Sequence, residues 1–265
     1  MNSHRLALLA LQPLAAAALL AARPLTTDRP DTTESPFTVE ADRWQLELSA
    51  AQWTRDEHTL ERDGVRTETW EFAPLNVRVG LTPHSELQLV HDGFVDVEVR
   101  DTATGNRDRV RGAGDLTLRY KHNLIGNDDG PRAIALMPYV KLPTAARRIG
   151  NDAWEGGLIV PFAMDLSETW GFDAMTELAV VRNDADTGHR LGWLNTATVS
   201  RGVTERLGVF FEVAWWVGEG APAGSFNVGT TYGLTEDLQF DAGINLGLTR
   251  AADDLVVFIG LARRY

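Results

Sequence analysis

His4, His58, His84, His91, His122 and His189 are the side chains best suited to metal binding or proton transfer, and no two of them stand at a metal-ligand spacing. The chain contains no cysteine, which removes thiol catalysis, disulfides and zinc-thiolate sites. No G-x-S-x-G elbow, P-loop or H-E-x-x-H stretch occurs. A Ser/His site assembled across strands has no support here beyond the presence of those residue types. The run from Asn183 to Gly188, N-D-A-D-T-G, resembles the start of a calcium loop. It lacks the downstream bidentate glutamate and reads better as a hairpin turn. The glycine-rich stretch 218–224 is followed by no helix, so it is a flexible loop and no dinucleotide fingerprint. The sequence therefore predicts a non-enzyme with no metal and no cofactor.

The chemistry that remains is electrostatic. Charged residues recur at alternate positions between apolar ones: Glu47, Arg78, Glu86, Asp92, Asp96, Glu98, Arg119, Lys121, Asp173, Glu177, Glu212 and Asp241. If the apolar partners face lipid, this set lines a lumen. Its mixed signs fit internal ion pairs as well as a selective pore, because buried charges must pair or stay wet. The formal net charge of -12 argues against nucleic acid, whose phosphates need a basic face, and against general adhesion to anionic lipid.

The elements that would carry these charges have period two. In 238–249 every even position is apolar and every odd one is polar or glycine, the pattern of a strand with one greasy and one wet face. The same alternation returns throughout the chain. It defines about twelve segments of roughly ten residues, the length of a tilted membrane-crossing strand. They fall at 43–54, 68–81, 85–99, 114–123, 133–142, 155–165, 170–182, 191–200, 207–217, 225–233, 238–248 and 254–265. The second changes parity at Ala73-Pro74, where a bulge is expected. Short, similar turns such as 80–85, 165–170, 202–207 and 233–238 form an internal repeat, and they alternate with longer polar loops. Short turns on one side, long loops on the other and an even strand count are the signature of outer-membrane barrels, with both termini periplasmic. The last strand ends on aromatic Tyr265, although Arg263 breaks its apolar pattern. Ahead of all this, a positive start and an apolar run interrupted by Gln12 and Pro13 read as a signal peptide over 1–22.

Between signal and barrel, in residues 23–42, the entry stretch 25–36 carries two prolines in an acidic run that cannot form a regular strand. Two readings stand: a tether or plug whose Asp28, Arg29, Asp31 and Glu34 pair with lumen charges, or a solvated linker. The motif Thr27-Asp28-Arg29-Pro30-Asp31-Thr32-Thr33-Glu34-Ser35-Pro36, with Asn76-Val77-Arg78-Val79-Gly80-Leu81-Thr82 further on, resembles the family named after the MetA pathway of phenol degradation. That resemblance implies an outer-membrane transporter taking up small aromatic or hydrophobic molecules, and it brings no catalytic residues with it. The expectation is thus an all-β, transmembrane, antiparallel up-and-down barrel over 43–265. Its expected partners are outer-membrane lipid, the barrel assembly machinery and a small-molecule solute, with the chain a monomer and no nucleic acid bound. The competing readings are a soluble secreted barrel of lipocalin type, which needs the opposite face inward, and a structural barrel without transport.

Overall fold

The computed structural model describes residues 23–57, 64–128, 130–183 and 185–265; the expected signal at 1–22 lies outside the described residues. No helix among these is long and apolar enough to cross a membrane. Strands account for the architecture: β1 (Trp44–Asp56), β2 (Val65–Phe72), β3 (Leu75–Thr82), β4 (Ser85–His91), β5 (Phe94–Asp101), β6 (Arg107–Ala113), β7 (Leu116–Ile125), β8 (Arg132–Leu142), β9 (Glu155–Asp165), β10 (Trp170–Arg182), β11 (His189–Gly202), β12 (Leu207–Val217), β13 (Ala223–Thr235), β14 (Leu238–Gly247) and β15 (Leu255–Arg264). Each described neighbour pairs antiparallel, and β15 returns to β1 from Gln45↔Arg264 to Arg55↔Leu255, closing the sheet.

Three strands are broken in the middle. β1 pairs with β3 along its first half and with β2 along its second, so β2 and β3 are one strand interrupted at 73–74. By the same pairing logic β4 with β5, and β6 with β7, are single strands. The result is a closed antiparallel barrel of twelve strands. The parity change expected at Ala73-Pro74 is present, with Ala73 at φ 55°. Across from it Gly93 sits at φ 76°, and a Cβ there would lie 2.4 Å from the Phe72 carbonyl oxygen, so this crossing needs glycine.

Burial is inverted relative to a soluble protein. Arg78, Glu86 and Lys121 are 0% exposed, whereas the outward Ile259 is 54% and Leu178 53% exposed. Leaving so much leucine, valine and tryptophan in water would forfeit about 1.5–3 kcal/mol per side chain. A hydrocarbon solvent removes that penalty, and the lipocalin-type assignment, apolar face inward, does not describe this chain. Aromatic side chains gather toward the strand ends of the outer face, as in the stack of Trp44 on Tyr265 at 4.0 Å, and Arg263 lies over the Tyr265 ring. The outward Arg263 thus takes a rim position where its head can leave the apolar layer. Val213, outward and midway along β12, gives a test. Val213→Arg is expected to cost about 2–4 kcal/mol of folding free energy in lipid vesicles, measured by reversible unfolding. At an exposed site of a soluble barrel the same change would be close to neutral.

Candidate functional site in the lumen

The inward positions of β1, β3, β4 and β7 bring Gln45, Glu47, Asn76, Arg78, Glu86, Gln88 and Lys121 together, all buried. Period-two geometry forces this, since Glu47↔Asn76, Arg78↔Gln88 and Glu86↔Lys121 are directly opposed. Residues 23–42 lie across this cluster as a strap. Asp28 accepts from Lys121 Nζ at 2.5 Å and from Gln88 Nε2 at 2.7 Å, while its own amide donates to Glu47. Arg78 donates to Glu86 Oε1 at 2.9 Å, to Glu47 Oε1 at 2.8 Å, and to the strap carbonyls of Thr26 and Phe37. The Val39 amide donates to Glu86 Oε2 at 2.6 Å. Burial alone would raise the Asp28 carboxyl, but Arg78 and Lys121 outweigh it and hold it at about 2.

The strap then crosses to the opposite wall. Arg29 forms a bidentate pair with Asp241 at 2.7 and 3.0 Å, reaches Ser49 Oγ at 2.6 Å, and lies over the Phe258 ring. The amides of Thr32 and Thr33 donate to the two oxygens of Glu212 at 2.9 and 2.7 Å. The Thr33 hydroxyl meets those of Thr196 and Thr198 at 2.6 and 2.9 Å. For Asp31, burial reinforced by the Glu212 carboxylate pushes the carboxyl well above its ordinary range. Glu34 pairs with Arg119 at 2.6 Å, the Ser35 amide donates to Asp28, and the Pro36 carbonyl accepts from Asn123. The Arg29-Pro30 peptide is cis. Beyond the strap's last turn, Gly80 on β3 leaves room for the backbone of Glu40: a Cβ there would lie 2.0 Å from the Glu40 oxygen.

Glu212→Gln tests this docking, because a carboxamide offers one acceptor where two amides now donate. The loss is expected to be about 1–3 kcal/mol. It should appear as faster hydrogen exchange at Thr32 and Thr33, with the barrel amides unchanged. Equal protection in the variant would mean that the strap does not depend on Glu212.

Ten of the twelve expected lumen residues face inward, including Asp92 beside the β4–β5 break, Asp173, and Glu177, which accepts from the Tyr139 hydroxyl. Asp96 and Glu98 do not. Beyond the break at Asp92-Gly93 the inward parity passes from even to odd residues. Asp96 therefore stands in register with the outward Trp70 and Arg111, and Glu98 with Arg109. The structure corrects their assignment to the outer face. Sequence reasoning also missed Thr196, Thr198 and Asn127, neutral groups whose role depends on the strap, and held Thr33 only within the entry motif, without partners. A second omission is the apolar part of the lumen, where Met137, Ile159 and Met175 pack with Tyr139 and Leu194.

Two cavities lie on the long-loop side of the strap, of about 280 and 290 Å³, and both are lined by Thr32 and Asn245. The first is walled by Arg29, Gln52 and Phe258; the second by Leu194, Ala214, Trp216 and Val256. On the short-turn side a cavity of about 840 Å³ opens between Arg23, Leu25, Arg206 and Arg264.

A closed barrel with apolar residues outside, ion pairs inside and an internal segment is the architecture of outer-membrane porins and channels. The sequence profile of the family described as "Putative MetA-pathway of phenol degradation" matches residues 27–265, and the chain belongs to that family. Among solved structures it is similar to the NanC porin, at 8% identity and TM-score 0.54, covering 82% of this chain and 98% of that one. It is also similar to the KdgM porin, at 6% identity and TM-score 0.50, covering 83% and 98% respectively. The β-domain of the Bordetella autotransporter BrkA matches at 11% identity and TM-score 0.50, covering 84% and 98%. At such identities these likenesses establish the fold. No protein of curated function matches this chain.

Proposed function

We propose that the protein is a monomeric outer-membrane channel for small solutes with an apolar or aromatic body, and that residues 23–42 plug its lumen. The observation that carries this reading is the strap's position between cavities that open toward opposite ends of one barrel. The apolar pocket of Leu194, Ala214 and Trp216, next to the hydrogen-bonding Asn245 and Ser225, supports a solute with a greasy body and one polar group. Short turns and both described ends of the chain share one side, where Arg23 contacts Arg264, which supports a periplasmic location for that side. On this reading the chain performs no catalysis; it lowers the barrier to diffusion.

Vesicles carrying the refolded protein test the proposal by solute influx. Phenol-sized aromatics with one hydroxyl or carboxyl are expected to enter faster than sugars of similar volume. Equal influx with and without protein, for wild type and for a strap-free variant alike, would leave a structural barrel as the better account. The many ion pairs filling the lumen favour that second reading.

A further inference from the structure

We infer that the outer face of the sheet formed by β2, β5 and β6 binds the phosphate groups of a lipid headgroup. This rests on the outer-membrane reading above, with the long loops outside. Arg107, Arg109 and Arg111 alternate along β6 and share one face. That face is outward, because Arg111 is in register with Asp96, which stands opposite Trp70, itself opposite the outward Trp53.

Asp96 is buried beneath two guanidiniums. Arg109 grips it with two nitrogens at 2.7 and 2.5 Å, and Arg111 Nε reaches it at 2.9 Å. Only 12% of the Asp96 side chain is exposed, yet the side chains of Arg109 and Arg111 remain 48% and 52% exposed. The carboxylate thus fixes the guanidiniums while leaving their outer donors free. Arg107, 59% exposed, is held only loosely by Glu98 at 3.5 Å. Arg100 stands opposite Arg107 and forms no ion pair among the described residues. With Arg66 and Glu68 of β2 on the same face, five cations against Glu68, Asp96 and Glu98 give this patch a net charge of +2, in a chain whose net charge is -12. The global acidity that disfavours anionic surfaces is locally reversed.

The inner face of the same sheet is already occupied, with Ala146 and Ile149 against Gly112 and Arg148 paired to Asp108. Beside the arginines on the outer face run Trp53, Trp70 and Phe72, with ring centroids 6.3 and 5.9 Å apart, followed by Phe94. An aromatic band continuous with the lipid-facing belt, bordered by arginines, marks headgroup depth. Fixed guanidiniums with free donors match phosphate oxygens in paired fashion. The continuity with the apolar belt selects a membrane-resident phosphorylated glycolipid over a dissolved anion.

The test uses the full mature chain in detergent with added bis-phosphorylated lipid A, read by native mass spectrometry and by the temperature of heat-modified gel migration. Wild type is expected to retain the lipid and unfold at a higher temperature in its presence. The triple variant Arg107→Gln, Arg109→Gln, Arg111→Gln should still migrate as a folded barrel and bind at least about tenfold more weakly. Arg201→Gln, which removes an arginine stacked on Trp170 at the opposite rim, should bind as wild type does. Retention of lipid A by the triple variant would overturn the inference. So would equal retention of dephosphorylated lipid A, or equal protection by inorganic phosphate. A chain that stays soluble without detergent would instead defeat the membrane reading on which the inference rests.

Discussion

Arg78→Met is expected to release the strap from the barrel wall at a cost of about 3–5 kcal/mol, the penalty for removing one partner of a buried ion cluster. Arg78 is fully buried and is shared among Glu86, Glu47 and Asp28, while two further donors hold the strap carbonyls of Thr26 and Phe37. Its removal leaves Lys121 as the cation within reach of Asp28 and Glu86. Part of the excess charge will be relieved by protonation or by water entering the lumen. The strands keep their own ladder, so the barrel itself should survive. Hydrogen exchange separates the two effects: the amides of Asp28 and Val39, which donate to Glu47 and Glu86, should lose protection while mid-strand amides keep theirs. Unchanged protection at both would show that the charge cluster does not anchor the strap.

Deleting residues 23–42 is expected to have the largest functional effect, turning a closed lumen into a conducting one. Eight-stranded barrels are filled by their side chains and sixteen-stranded ones hold a water channel, so twelve strands leave room that something else must occupy. Here that occupant is the strap, bonded to β1, β3, β4, β7, β11, β12 and β14 through Glu47, Arg78, Glu86, Lys121, Thr198, Glu212 and Asp241. Planar-bilayer recordings should show steady conductance for the deletion and, for the intact chain, only rare openings as the strap leaves the wall. A deletion that folds, migrates normally and stays silent would mean that the wall side chains fill the lumen by themselves.

Much of this was legible in the sequence because the barrel imposes a strict period. Where one face is apolar and the other polar, as in 238–249, the direction of every side chain follows from its parity. The alternation of turns and loops fixed the strand count for a related reason. Reading failed where the period breaks: the extra residues at Asp92-Gly93 exchange the two faces, and Asp96 and Glu98 went to the wrong side. It was silent where both faces are apolar, as in β9, whose Ile159 points inward and Leu158 outward with nothing in the residue types to distinguish them. The strap was the hardest element. Its contacts join residues as far apart as Arg29 and Asp241, and no local pattern encodes a pairing across 212 positions. Its charged residues suggested partners without naming them, and its neutral anchor Thr33, though part of the motif, gave no hint of Thr196, Thr198 or Glu212.

The central claim, that residues 23–42 plug a solute channel, has one direct measurement. Because the chain has no cysteine, Thr33→Cys with Thr198→Cys places a single thiol pair where the two hydroxyls now stand 2.9 Å apart. Single-channel conductance of this variant would be recorded in planar bilayers while oxidised, and again in the same membrane after reduction. With the strap stapled the barrel is expected to be silent, and the rare openings of the intact chain should return once the disulfide is reduced. Identical conductance in both states, with the disulfide verified by mass spectrometry, would contradict it.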